Sequence, residues 1–266
     1  GATVWGRARR GLRLPGGGDG RIAPARASAL TGAMSTILQN RLGFAPWTDP
    51  RTRRLPGTIP VSEDDWLVVD DAYAAQMAER ARLIESRPGA VHALSDEARP
   101  AADELLRWVL RLLPGRGHVV GATIRRPDGV EVTPDMDQPL LTLGRVCAED
   151  FCLMLPGPAG EHILGGAILC FPAGWTLAEK FGRPMMGIHR PVAIYTEDVG
   201  RRVQRLLDGV RPGIGLLRGT AHHSNAPLHN PRTEAQGRAT DAALPFIRVE
   251  RQCLFRLPET GAVVFS

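Results

Sequence analysis

The 266-residue chain reads as an α+β protein, a mainly antiparallel sheet with flanking helices. Three observations predict this class. Residues 70–113 place apolar side chains at helical spacing. From residue 118 the pattern changes to short apolar runs broken by Pro and Gly turns, as strands require. Helical stretches are then inserted between those runs, and no internal repeat is present.

Element by element, residues 1–33 are rich in Gly, Ala and Arg and stand outside the fold. They read as a mis-assigned start, with translation beginning at Met34; an arginine-rich targeting peptide is the alternative. Residues 34–266 read as one domain. Pro46, Pro50, Pro56 and Pro60 make 41–62 an extended wrapping segment. Asp70 to Glu85 reads as a helix with Tyr73, Met77, Leu83 and Ile84 on its apolar side, closed by Pro88. Ser95 caps the next helix, which carries Leu105, Leu106, Trp108, Val109, Leu112 and Leu113 and ends at Pro114-Gly115. His118 to Ile124 and Val130 to Val132 read as strands around the turn Pro127-Asp128-Gly129. Phe151 to Leu155 and His162 to Phe171 read as a pair around Pro156-Gly157-Pro158. Thr176 to Phe181 suits a short helix and Thr196 to Val210 a longer one. Ile214 to Leu217, Phe246 to Phe255 and Ala262 to Phe265 read as strands, with 221–245 as a surface loop. The last strand stops at Ser266, as in a truncated product.

Composition narrows the function. The net charge is +5, and all of it lies in residues 1–33; the remainder is neutral. A basic tail without a basic face argues against nucleic-acid binding. No apolar run reaches the ~20 residues of a membrane-spanning helix. Cys147, Cys152, Cys170 and Cys253 are widely spaced, without a CxxC pair, and read as buried thiols of a cytoplasmic protein. No Gly-rich phosphate loop follows a strand, and no G-x-S-x-G elbow exists. His222, His223 and His229 share a polar segment without matching carboxylate spacing, which argues against a metal site there.

Three positions draw attention. His189 lies among Met185, Met186, Ile188, Val192 and Ile194, with Pro191 after it. A neutral imidazole in apolar surroundings suits a haem iron, and it equally suits a hydrogen-bonded core histidine. In F-I-R-V-E-R-Q-C-L-F-R-L, Arg248, Glu250 and Gln252 share one strand face. Glu250 either holds a cationic amine and moves a proton or pairs with Arg248 on a solvated face. Arg218 follows the apolar run Ile214 to Leu217, so it either projects into a pocket as a donor or ends a strand at the surface.

Together, E-K-F-G-R-P-M-M-G-I-H-R-P-V at 179–192, R-V-E-R-Q-C-L-F-R-L-P-E-T-G-A-V-V-F at 248–265 and D-D-W-L-V-V-D-D-A-Y at 64–73 resemble one family. It is the haem-binding alpha subunit of haem-dependent oxidative N-demethylase, or dimethylamine monooxygenase. The resemblance runs from about Leu55 to Ser266, and Lys180, the single lysine of the chain, falls inside the first motif. It implies a PAS-like sheet enclosing a haem pocket, with haem b on His189. It also implies an arginine, matched by Arg218, that hydrogen-bonds dioxygen, and a substrate-side glutamate, matched by Glu250. Where the family tends to Asn-Trp after that arginine, Gly219-Thr220 stand here. The implied reaction removes a methyl group from a small secondary amine such as dimethylamine, giving a primary amine and formaldehyde. Dioxygen and external electrons are consumed. The electrons would come from NAD(P)H through a separate flavin and iron–sulfur reductase subunit, because the chain has no motif for those groups. A PAS-like haem sensor, or a non-catalytic haem module, is the competing reading. A sensor has no need of Glu250.

Overall fold

The computed structural model describes residues 36–53, 57–192, 195–225, 227–236 and 244–266. The basic leader, Pro56 and Ile194 lie outside the described residues. Ten strands and seven helices are present among those described.

Seven strands form the main sheet: β1 (Ile59–Val61), β2 (His92–Leu94), β6 (Phe151–Pro156), β7 (His162–Ile168), β8 (Gly215–Ser224), β9 (Phe246–Arg256) and β10 (Val263–Phe265). Their order is β1-β8-β9-β10-β6-β7-β2, and every pairing is antiparallel. The α+β class and the antiparallel sheet therefore stand.

Both faces of the sheet are covered, and alternation sorts the residues between them. Phe151, Leu153, Leu217, Cys253, Phe255 and Val264 face the larger core, with α1 (Tyr73–Ser86), α3 (Arg99–Leu112) and α4 (Pro139–Val146). Trp66 sits there fully buried, its ring centroid 4.3 Å from Phe255 and 5.0 Å from Trp108. Its indole N–H donates to Ser266 Oγ at 2.8 Å. Cys152, Met154, Leu164, Ala167, Leu254 and Val263 face a smaller apolar cluster, packed by α5 (Leu177–Lys180), α6 (Met185–His189) and α7 (Glu197–Gly209). Leu164 and Ala167 share that face although three residues apart, because the register slips between Leu153 and Met154. Gly165 is the extra residue of this bulge, which turns Ala167 back onto the smaller cluster.

The structure corrects several expectations. His118 to Ile124 is not one strand. Val119–Val120 (β3) and Ile124–Arg125 (β4) are two short strands folded on each other, and Glu131–Val132 (β5) completes a separate three-stranded sheet. Pro88 does not simply close a helix; it opens the single turn α2 (Pro88–Val91), a position where its missing N–H costs nothing. Of the segment 41–62, residues 59–61 join the sheet as β1. α4 is a helix that no apolar period announced, since Pro139 to Val146 spans only eight residues and includes Gly144. The strand expected at Ile214 to Leu217 runs on to Ser224, so residues 221–224 are not loop. Ser95 caps as expected, its Oγ accepting from the Ala98 N–H in the 3-10 turn that leads into α3, and Thr196 Oγ1 caps α7 by accepting from the Val199 N–H. All four cysteines are free and buried, and burial raises every thiol pKa, those of Cys152 and Cys170 to about 12. No described helix is long and apolar enough to cross a membrane.

β8 and β9 outrun their neighbours. β1 pairs with β8 only at Gly215 to Leu217, and β10 with β9 only at Leu254 to Arg256. Residues 218–224 and 246–252 therefore continue as a two-stranded ribbon. Gly219 lies on the larger-core side of this ribbon, where a Cβ would come within 2.3 Å of the Phe44 ring and 2.8 Å of Pro46. The wrapping segment thus explains the glycine. Gly219→Ala is expected to cost about 1–3 kcal/mol by overpacking, read as a lowered midpoint in urea unfolding.

Candidate active site

The ribbon places three facing pairs on the side of the smaller cluster: Arg218 opposite Gln252, Thr220 opposite Glu250, and His222 opposite Arg248. Directly opposed residues of an antiparallel pair share a face. Arg218 therefore does not end a strand at the surface; it stands inside β8, one pair away from Glu250.

The Glu250 carboxylate is held mainly through one oxygen. Oε2 accepts from Gln252 Nε2 at 2.9 Å and from Thr220 Oγ1 at 3.4 Å. Oε1 has the Arg248 Nε at 3.7 Å and accepts no hydrogen bond from any described residue. The pairing of Glu250 with Arg248 is thus present, but the arginine is engaged elsewhere. Its two terminal nitrogens donate to Leu228 O at 2.9 Å and Phe171 O at 2.6 Å.

Arg218 differs from Arg248. Its guanidinium makes no hydrogen bond or ion pair with any described residue, and its Nε is buried. Burial pulls its pKa down while Glu250 holds it up. An arginine stays charged in either case. The site thus contains a cationic donor without a protein acceptor beside a carboxylate with capacity to spare.

His189 ends the one-turn helix α6 on the same side of the sheet, where Met185 and Ile188 pack into the smaller cluster. Its Nδ1 lies 3.0 Å from Met185 O. A carbonyl only accepts, so Nδ1 carries the proton, and in the neutral ring Nε2 keeps its lone pair. Nε2 meets no described partner. Burial lowers the pKa of the ring, against the Met185 carbonyl, and the charges of Lys180 and Arg218 lower it further. The Tyr195 ring stacks on the imidazole at 4.1 Å and 12°, fixing its plane. The hydrogen bond that a core histidine would make is present, at Nδ1, and Nε2 is left without a described partner, as a haem ligand would need.

Among the described residues, no group of three His, Cys, Asp or Glu side chains converges as a metal site. His222 and His223 project to opposite sides of β8, and His229 Nδ1 is spent on Cys170 O at 2.7 Å.

Sequence reasoning passed over Glu234. Its carboxylate meets Lys180 Nζ at 2.9 Å, Arg190 at 3.0 Å and Arg183 at 3.4 Å. The signal available was Lys180 itself: a lone lysine in an apolar motif needs an acid when buried. Lys180 and Arg190 hold the Glu234 pKa down to about 2, against an ordinary 4.5. A depressed acid stabilises the fold above its ordinary pKa and loses that contribution as the pH falls. The Tm gap between the parent chain and Glu234→Gln is expected to be widest above pH 4.5 and to close as the pH falls through about 2.

The residues that build this face all fall within one matched stretch of the chain. Residues 57–266 match the family described as haem-dependent oxidative N-demethylase, alpha subunit-like, and the chain belongs to that family.

Proposed function

We propose that the chain performs haem-dependent oxidative N-demethylation of a small secondary amine such as dimethylamine. The residues present fit the group. His189 offers an unprotonated Nε2 with its Nδ1–H anchored on a carbonyl, the arrangement that orients a metal-bound histidine. Arg218 keeps a buried, unpartnered donor toward the same side. Met185 and Ile188 supply apolar wall. A b-type haem held by His189, when bound, supplies the activation of dioxygen that oxidises the methyl group.

The observation that carries the reading is the placing of Arg218 and Glu250 in successive cross-strand pairs on one face of the ribbon. A dialkylammonium ion is cationic at neutral pH, so it needs a carboxylate. Glu250 binds the ammonium and takes its proton at Oε1, the oxygen free of hydrogen bonds, while Gln252 and Thr220 hold Oε2 in place. Arg248, fixed by two carbonyls, keeps a positive charge 3.7 Å from Oε1. With haem bound, Arg218 would offer its N–H groups to an oxygen that gains negative charge, where a preorganised donor is most effective. Electrons enter from a separate reductase subunit, in keeping with the alpha-subunit character of the family. The four free thiols support a cytoplasmic setting.

The test is formaldehyde release from dimethylamine by the haem-loaded chain with a chemical or enzymatic reductant. Amine-dependent formaldehyde is expected, and Glu250→Gln is expected to lower kcat/KM by about 10²-fold or more. A stable haem complex that neither turns over nor responds spectrally to secondary amines would overturn the reading in favour of a haem sensor.

A further inference from the structure

α6 has five residues, and a helix that short does not hold itself in water. Its orientation comes from the packing of Met185 and Ile188 and from what holds its ends. At the first turn, the Met186 N–H donates to Glu161 Oε2 at 3.2 Å. Beyond the last turn, Arg190 meets Glu234 Oε2 at 3.0 Å. Glu234 belongs to a segment of 227–236 that is itself fastened to the body. The Asn230 N–H donates to Pro172 O at 3.2 Å and the Gly174 N–H to Asn230 O at 2.9 Å. The Glu234 N–H then docks on the Glu179 carboxylate at 3.1 and 3.2 Å.

One carboxylate thus joins three places: Lys180 at the end of α5, Arg183 in the turn after it, and Arg190 directly after His189. The Lys180 side chain is only 6% exposed, so its charge has little water to screen it. Without Glu234, Lys180, Arg183 and Arg190 would lose the carboxylate they share, and Lys180 is the one of the three whose charge acts on the imidazole.

We infer that Glu234 is a positioning residue for His189: its carboxylate fastens α6 from the C-terminal side and neutralises Lys180 next to the ring. The electrostatic half of this inference rests on the haem reading above; the mechanical half does not.

The experiment compares the parent chain with Glu234→Gln in two states. In the haem-free chain, amide hydrogen exchange is followed at Ile188 and Val192, whose N–H groups bond to Pro184 O and His189 O. Exchange at these two positions is expected to rise at least about tenfold, while amides of β6 and β7 keep the parent rate. In the haem-loaded chain, the ferric/ferrous midpoint potential is expected to become more positive, because an uncompensated cation favours the less positive iron. A roughly tenfold shift in that equilibrium is 59 mV for one electron. The double variant Lys180→Gln with Glu234→Gln is expected to return toward the parent value, which a merely structural role would not produce. Should Glu234→Gln fail to fold, Arg190→Gln removes only the link beyond α6, at a side chain that is 70% exposed. Unchanged exchange at Ile188 and Val192, or a rise spread over the whole chain, overturns the positioning role. An unchanged potential overturns the neutralising role. A parent chain that takes up no haem overturns the functional reading, and the exchange arm still decides the inference by itself.

Discussion

Replacing His189 by alanine is expected to abolish stoichiometric haem binding, read as loss of the Soret band, while the chain stays folded. The side chain contributes one hydrogen bond, to Met185 O, and a stack on Tyr195. Losing them costs only about 1–2 kcal/mol of stability. On the proposed reading the effect on haem is far larger, because the protein's bond to the iron would rest on this one imidazole. His189→Gly, which leaves room for an exogenous ligand, is expected to regain the band when imidazole is added. A parent-like spectrum in His189→Ala would remove His189 from the site and leave the arrangement of Arg218 and Glu250 without its partner.

The second large effect lies on the opposite side of the sheet. Arg80 is fully buried in the middle of α1, donating to Gly144 O at 3.1 Å, Ala148 O at 3.3 Å and Asp150 Oδ1 at 2.5 Å. Asp150 in turn accepts the N–H groups of Cys170 and Phe171 at 2.7 and 2.8 Å. Arg80→Ala would leave the Asp150 carboxylate without its cation and two carbonyls without the arginine donor, and is expected to destabilise the chain by about 3–5 kcal/mol. For a domain of this size that is a Tm lower by roughly 10 °C. Changing Asp150→Asn in the same chain is expected to add less than its single effect, because the two side chains share one network. The loss should also reach the ribbon, since Phe171 O is where Arg248 anchors. A change below about 1 kcal/mol would place Arg80 with the solvated surface arginines.

What could be read in the sequence followed from short-range pattern. The alternation Arg248, Glu250, Gln252 put three polar side chains on one face, and the register confirms it. Tyr73, Met77, Leu83 and Ile84 marked the buried side of α1, and all four are buried. Arg80 went unnoticed because, on one sequence, a buried arginine looks like any other on an amphipathic helix. The extension of β8 through Ala221-His222-His223-Ser224 was hidden because a ribbon beyond its sheet has no apolar core to demand alternation. α6 was hidden because one turn has no period. The clamp on α6 joins residues 54 apart, Lys180 and Glu234, and only the fold brings them together.

The ribbon that carries Arg218 and Glu250 behaves as a cartridge. These two side chains stand in successive cross-strand pairs, so any flexing of the overhang carries both together and leaves their spacing intact. Two arginines act as stays on its opposite faces. Arg248 reaches to the carbonyls of Leu228 and Phe171, and Arg251 to those of Trp66 and Asp65. Lengthening either stay would tilt the cartridge against His189 without altering its internal geometry. Substitutions at residues that touch neither would therefore change how far the Glu250 carboxylate stands from the imidazole.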